Sequence, residues 1–229
     1  MSATRQRLAR FALAGVVLPV WLLGGSLVFG ALRPGYAPLR DAISELGERG
    51  APNALVWNIG GFGIVALLYG LYAIALRAGF GSGWLFRLAV LQAIFIAAGA
   101  SLDCDPGCPP VPQTTTMLGH MIVGLAYFAI TTVLPLVAWQ TFRRLPEWRP
   151  YARPSLAVGV LLVALFFIGP TLGQDRVGVW QRVVLVIAYA WQIAVAVHLR
   201  ALLGRAPVDV GRSPDQFAAE TPKAAVPGG

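Results

Sequence analysis

Charged side chains are scarce in this sequence of 229 residues. Asp, Glu, Lys and Arg together make up 12% of the chain, whereas hydrophobic residues make up 57%. A soluble domain carries about 25% charged residues, so the composition excludes an ordinary soluble globular protein. Cysteine is also rare, because the chain has only two. Two cysteines are too few for the disulfide framework of a small secreted fold.

Long apolar runs account for the missing charge. Each run has about 18 to 25 residues, enough for a helix to cross about 30 Å of hydrocarbon. None shows the alternation of barrel strands. The six runs are Phe11–Leu32, Ala54–Leu76, Trp84–Leu102, Met117–Gln140, Ser155–Leu172 and Val179–Leu203. They predict an all-α integral membrane protein: a bundle of six transmembrane helices over residues 11–203, with an N-terminal tail at 1–10 and a disordered tail at 204–229.

Basic residues are distributed unevenly between the two predicted sides. Thirteen of the 18 lie in the tails and in the second and fourth loops. The other five are Arg33, Arg40, Arg49, Arg176 and Arg182. Cytoplasmic loops carry the excess of Lys and Arg, so both termini are predicted to be cytoplasmic. The net charge of +8 is therefore explained by topology, and no nucleic-acid partner is expected.

The first outward loop is predicted to contain a short amphipathic helix between Pro38 and Gly47. Proline favours the start of a helix and glycine its end. One face of this helix would carry Leu39, Ile43 and Leu46. Another would carry Asp41, Glu45 and Glu48, with Ser44 beside them. Such a helix suits a membrane interface, where it would act as a lid.

Polar residues gather at the same predicted outward end. Asp103 opens the second outward loop, and His120 and Arg182 each lie about one turn inside a helix. An ionisable group inside a span is costly, and it usually faces a partner, a cavity or the bundle interior. The candidates for acid–base catalysis are Asp41, Glu45, Asp103 and His120. The candidates for binding are Ser44, Asn53 and Arg182.

Each of these candidates also has a structural interpretation. His120 is interpreted as a hydrogen-bonding residue, a proton acceptor or a ligand. Arg182 needs a counter-ion, which Asp103, Asp41 or Glu45 would supply. The arginines of the first loop are equally suited to surface ion pairs, which contribute little to stability.

Cys104 and Cys108 frame an Asp-Pro-Gly turn in the second outward loop. In an oxidising compartment this pair predicts a disulfide. The alternative is a metal site built from the two cysteines, His120 and a carboxylate. Zinc motifs usually have tighter and repeated spacing, so no metal and no cofactor are predicted.

The loop motifs resemble those of a bacterial membrane family known as domain of unknown function 998. The similarity lies in the string from Pro34 to Gly47, in Ala51-Pro-Asn53, in the segment from Asp103 to Cys108, and in His120. It covers roughly residues 10 to 203 and implies six spans in a bacterial cytoplasmic (inner) membrane.

A more distant likeness to the Frag1/DRAM/Sfk1 membrane family rests on Ile43-Ser44, Gly47, Asn53 and His120. Members of that family are linked to lipid remodelling, lipid asymmetry and autophagy regulation, which implies membrane lipids as partners. The cysteine loop and the acidic Asp41 and Glu45 depart from its pattern.

Three hypotheses of function follow, and whether the protein is an enzyme stays open among them. The first is an outward-facing polar site that binds or modifies a lipid headgroup. The second is a non-catalytic structural or regulatory membrane protein whose polar cluster is an ion-pair latch. The third is a small transporter, which the shortage of ionisable groups at the midplane disfavours. Oligomeric state is open in all three.

Overall fold

The computed structural model describes residues 3–81 and 83–205. These residues form helices joined by loops, with no strand among them. Six helices are long and apolar enough to cross a membrane, as predicted. They are α1 (Ala3–Ala31), α2 (Ala54–Phe80), α3 (Trp84–Ser101), α4 (Thr115–Phe142), α5 (Pro146–Thr171) and α6 (Val177–Gly204).

Three of these helices are locally irregular. In α1 the segments Ala3–Ala12 and Ala14–Ala31 meet at Leu13. In α2 the segment Asn58–Gly63 is a π-helix, within a sequence rich in glycine. Glycine lowers helix stability, and π segments occur often at functional sites. In α5 short 3₁₀ turns, Pro146–Trp148 and Gly169–Thr171, flank the helix Arg149–Ile168.

The predicted tails differ from the observed elements in one respect. Helix α1 already begins at Ala3, so it includes most of the segment that the apolar run leaves as an N-terminal tail. Arginine is a good helix former, so the arginines before the apolar run continue the helix toward the N-terminus. Most of the predicted C-terminal tail, residues 206–229, lies outside the described residues.

The six helices form a closed ring in chain order. Each packs against its neighbours in sequence, and α6 returns to pack against α1. Helix α6 also contacts α2 and α4 across the ring. This arrangement brings the first turns of α4 and α6 close to the loop between α1 and α2.

Successive helices run in opposite directions, so the connections fall into two groups. We call the end with residues 32–53, 102–114 and 172–176 the loop end, and the opposite end the terminal end. Arg5 Nη1 donates to the carbonyl of Arg205 at 3.2 Å, which joins the start of α1 to the end of α6 at the terminal end. The compartment that each end faces stays a prediction.

The short helix of the first loop is present, but it is confined to a 3₁₀ turn at Ile43–Gly47. Upstream, the Asp41 carboxylate accepts the N–H of Ala37 at 2.7 Å, which holds a tight turn where the longer helix was predicted. Ile43 and Leu46 are buried, whereas Leu39 is 69% exposed. Of the three apolar residues assigned to one face of the predicted helix, only the two in the 3₁₀ turn contact the bundle core.

Candidate functional site

The first two loops of the loop end are joined through Arg33 and Glu48. Arg33 Nη2 donates to Glu48 Oε1 at 2.5 Å, and Arg33 Nη1 donates to the carbonyl of Glu45. The other oxygen of Glu48 accepts the N–H of Gly107 at 2.6 Å. Glu48 is buried, so both of its oxygens have partners where water is largely excluded. We call the ion pairs Arg33–Glu48, Arg40–Asp41 and Arg49–Asp105 the loop latch.

The Asp41 carboxylate forms its hydrogen bonds within its own loop. Arg40 reaches its carboxylate through Nε at 2.5 Å and through Nη2 at 2.9 Å. The hydrogen bond from Arg40 is the main cause that lowers the pKa of Asp41. A carboxylate held in this way is a poor proton acceptor.

Glu45 has a different environment from Asp41. Its Oε1 accepts the N–H of Ala42 at 2.8 Å, which satisfies the start of the 3₁₀ turn. Burial is the main cause that raises the pKa of Glu45, and the charges of Asp41 and Glu48 add to it. The side chain therefore acts as a cap for the turn.

The third latch pair fixes the start of α4. Asp105 lies 3.6 Å from Arg49, accepts the hydroxyl of Thr114 at 2.8 Å, and accepts the N–H of Gln113 at 3.1 Å. Thr114 in turn caps α4 by accepting the N–H of Met117 at 3.1 Å. The second loop and the first turn of α4 are thus oriented by one buried carboxylate.

Arg182 meets hydroxyl and carbonyl groups rather than a carboxylate. Its Nη2 donates to the Tyr36 hydroxyl at 2.8 Å, and its Nη1 donates to the carbonyl of Asp41 at 3.0 Å. Among the described residues, none of the three predicted counter-ions, Asp41, Glu45 and Asp103, forms an ion pair with it. Burial raises the pKa of Tyr36, so its hydroxyl remains a neutral partner for Arg182.

Asp103 is held by Asn58, a residue that the sequence analysis missed. Asn58 Nδ2 donates to Asp103 Oδ1 at 2.9 Å and to the carbonyl of Gly47 at 3.0 Å. A Cβ added at Gly47 would lie 1.8 Å from Asn58 Oδ1, so only glycine permits this approach. A polar side chain beside the glycines of an apolar span was the signal that could have identified Asn58. Asn53 is exposed at the start of α2, in the left-handed conformation with φ 62°.

His120 lines a cavity beneath the 3₁₀ turn of the first loop. The cavity has a volume of about 90 Å³, and Ile43 and Ser44 form its cover. Helices α1, α2, α3, α4 and α6 contribute the remaining lining residues, most of them apolar. His120 Nδ1 lies 2.6 Å from the carbonyl of Leu102. A carbonyl only accepts, so Nδ1 carries the hydrogen and Nε2 of the neutral ring is an acceptor.

A larger groove of about 450 Å³ lies beside this cavity, between the first halves of α4 and α6. Its wall includes Leu118, Ile122 and Leu125, which are exposed on the outer surface of α4. The cavity and the groove share five lining residues: Ser44, His120, Gly124, Phe128 and Gln181. The polar groups at this junction are thus accessible from the side of the bundle.

Gln181 and Tyr127 are two further polar residues of the cavity that the sequence analysis missed. Gln181 Oε1 accepts the N–H of Ile43 at 2.8 Å, which attaches the 3₁₀ turn to α6. The Tyr127 hydroxyl lies 2.9 Å from that of Tyr69 and 2.8 Å from that of Tyr189. These hydroxyls join α2, α4 and α6 at the bottom of the cavity. Tyrosine is too common in helix cores for its presence to have identified this cluster.

Of the predicted site residues, the structure brings Ser44 and His120 together. Asp41, Glu45 and Asp103 have the partners described above and do not line the cavity or the groove. Arg182 and Asn53 are also absent from both linings. The junction therefore offers a neutral acceptor and amide and hydroxyl groups, rather than a carboxylate–histidine pair.

The sulfur atoms of Cys104 and Cys108 form a disulfide, and the Glu48 carboxylate lies near them. A disulfide offers no thiolate, so this group is a poor metal site. The Cys108 sulfur lies 3.7 Å from the Ser44 hydroxyl, and the Cys104 sulfur lies 3.7 Å from the Ser44 carbonyl. The disulfide therefore packs against the cover of the cavity.

A family model described as a protein of unknown function (DUF998) matches residues 14–198, which include the loop end, all of α2 to α5 and most of α1 and α6. No curated protein and no solved structure matches the chain.

Proposed function

This chain belongs to the DUF998 family of proteins of unknown function, and we propose that it binds a membrane lipid at the loop end. The observation that carries the proposal is the junction of cavity and groove. There, Ser44, His120 and Gln181 lie at the end of an apolar groove whose outer wall is exposed on α4. A lipid needs this combination, because its chains require an apolar surface and its head requires polar partners.

The depth of these groups favours a lipid over a soluble ligand. His120 lies about one turn from the start of α4, near the level at which headgroups meet hydrocarbon. Leu118, Ile122 and Leu125 follow on the lipid-facing side of the same helix. Lipid chains along this wall would approach from the bilayer, with the polar end directed toward the loops.

The loop latch has a structural role in this proposal. It holds the turn Ile43–Gly47 over the cavity, with Ile43 and Leu46 buried beneath. The non-catalytic hypothesis draws support from the same ion pairs, because Asp41 and Glu48 are buried and fully engaged. The two roles are compatible, since a fixed cover defines the polar end of a binding site. We further propose, from the basic residues, that the loop end faces outward from a bacterial cytoplasmic membrane.

Photo-crosslinking tests the proposal. The full chain in nanodiscs would be exposed to diacylglycerol and phosphatidylglycerol that each carry a diazirine in an acyl chain. We expect at least one probe to label peptides within residues 117–128 and 177–185. Labelling of no peptide from α4 or α6 by either probe would refute lipid binding at this site.

Gly124→Leu supplies the blocking variant. Among the described residues, no atom beyond the helix's own backbone lies within 4 Å of a Cβ added at Gly124. Gly124 lines both the cavity and the groove, so a leucine there would project into their junction. Gly70→Leu is the matched control, because Gly70 in α2 has equally open surroundings and does not line either space. Labelling of α4 should fall about tenfold in the first variant and stay unchanged in the second. Equal labelling of α4 in both variants would contradict the proposal.

A further inference from the structure

We infer that the lipid bound at this junction is uncharged at its polar end and carries a free hydroxyl group, as a diacylglycerol does. This inference rests on the lipid binding proposed above and specifies the class of lipid. It follows from two properties of the junction: the absence of formal charge and the arrangement of donors and acceptors.

The first property is charge. Among the described residues that line the cavity and the groove, none is Asp, Glu, Lys or Arg. A phosphate is normally bound by Arg or Lys through charge-assisted hydrogen bonds. Arg182, the predicted anion clamp on α6, lines neither space, and its two terminal nitrogens already donate to Tyr36 and to the carbonyl of Asp41. Its Nε is buried away from both spaces, with no partner among the described residues. A phosphate would therefore lose its hydration without gaining a cation.

The second property is the arrangement of hydrogen-bonding groups. His120 donates through Nδ1 to Leu102, so its Nε2 is an acceptor, and no described group donates to it. Gln181 uses Oε1 to accept from Ile43, so its amide hydrogens remain available as donors. The Ser44 hydroxyl both donates and accepts. A lipid hydroxyl would donate to His120 and accept from Gln181 or Ser44.

Charged headgroups do not match this arrangement. Ionised phosphate oxygens only accept, so one of them facing His120 Nε2 would be repelled unless the ring were protonated. A protonated ring is costly in an apolar lining inside a span. An ammonium group would lack a carboxylate partner, because Asp41, Glu45 and Asp103 are engaged elsewhere.

Competition among three matched lipids tests the inference. The labelled probe is the diazirine diacylglycerol, and the unlabelled competitors share its acyl chains. They are diacylglycerol, its 3-O-acetyl ester, which lacks the free hydroxyl, and phosphatidic acid, which adds a phosphate. We expect diacylglycerol to compete about tenfold more effectively than either of the others, as the loss of one buried hydrogen bond predicts.

His120→Phe should reduce the preference for diacylglycerol over its acetyl ester, because phenylalanine keeps the ring and removes the acceptor. Ser44→Ala is a second variant with a smaller change in the same direction, and it keeps the inference testable if His120→Phe unfolds. Equal or better competition by phosphatidic acid would overturn the inference and leave lipid binding intact. Absence of labelling at α4 and α6 would overturn both.

Discussion

The two ends of the bundle are closed by different interactions. At the terminal end, Phe142 stacks on Trp148 with ring centroids 4.5 Å apart, and Phe80 packs beside them at 4.8 Å from Trp148. His198 contacts the edge of Trp148, and its Nε2 lies 3.0 Å from the carbonyl of Glu147. At the loop end, ion pairs and hydrogen bonds join the first two loops to each other and to α6 above a cavity.

This difference shows how a small bundle can be filled by aromatic side chains at one end and keep an interior cavity at the other. Aromatic rings fill space, so the terminal end is closed by packing itself. Ion pairs such as Arg33–Glu48 orient the loops without filling the volume below them. The latch can therefore hold Ile43 in place and still leave room beside His120.

The largest effect is expected for Glu48→Ala. This change leaves Arg33 without its carboxylate and Gly107 N–H without its acceptor in a buried place. Breaking a buried pair from one side costs about 3 kcal/mol, which should appear as a lower free energy of unfolding in detergent.

The control for Glu48 is Glu147→Ala at the terminal end. Glu147 is exposed and contributes its backbone carbonyl to His198, which the substitution keeps. Its effect should stay within about 0.5 kcal/mol. Equal effects of the two substitutions would show that the latch contributes no more than an exposed carboxylate does.

A smaller effect is expected for Gly178→Ala. A Cβ there would lie 2.5 Å from the carbonyl oxygen of Asp41 and 2.6 Å from that of Pro38. Both are backbone atoms, which cannot move aside by a rotamer change as a side chain can. Gly178 N–H also donates to the carbonyl of Arg40 at 3.0 Å. We expect a loss of about 2 kcal/mol from overpacking.

Gly204→Ala is the control on the same helix, because a Cβ at Gly204 meets none of the described atoms within 4 Å outside the backbone of α6 itself. Thermal unfolding of both variants measures the difference. If Gly178→Ala were as stable as Gly204→Ala, the first loop would not be docked on α6 as described.

The smallest effects concern pH, and they should have opposite signs within one loop. The pKa of Glu45 is raised in the folded protein, so the folded state favours the protonated carboxyl group. Its contribution to the free energy of unfolding is therefore lost as the pH rises through the folded pKa. Glu45→Gln keeps an acceptor for Ala42 N–H and should stabilise the protein near pH 7 by roughly 0.5 kcal/mol, after screening by solvent. This gain should shrink as the pH falls through the folded pKa and vanish below the unfolded pKa.

Asp41→Asn should behave in the opposite way. The pKa of Asp41 is lowered in the folded protein, so its carboxylate stabilises the fold above the unfolded pKa. This contribution to the free energy of unfolding is lost as the pH falls through the folded pKa. The variant should be less stable than the natural chain near pH 7 and approach it in acid. Unfolding curves from pH 3 to 7 measure both variants, and a shared sign would contradict the assigned environments.

Hydropathy and charge were sufficient to predict the number of helices and the position of the polar residues at one end. The helices α1 to α6 follow from apolar runs, because a long apolar segment in lipid satisfies its backbone only by forming a helix. The same reasoning placed Asp103 and His120 near one membrane face. It predicted a longer helix around Asp41, because a side chain that caps its own turn is not visible in apolar spacing.

The partners of the polar residues depended on contacts between distant segments. Asn58 meets Asp103, and Gln181 meets Ile43, across separations of 45 and 138 residues. No local pattern specifies such pairs, because hydropathy is a property of each segment alone.

The sequence by itself thus determined six membrane-spanning helices with polar residues gathered at one end. The packing of the first two loops on α2, α4 and α6 then assigned the carboxylates of Asp41, Glu48 and Asp105 to the latch and left neutral groups at the cavity. The physical reason is that a buried carboxylate needs a hydrogen-bond or ionic partner. Here those partners are arginines, an amide and backbone N–H groups outside the cavity. The lipid site proposed here is therefore neutral, although the acidic sequence of the first loop predicts a charged one.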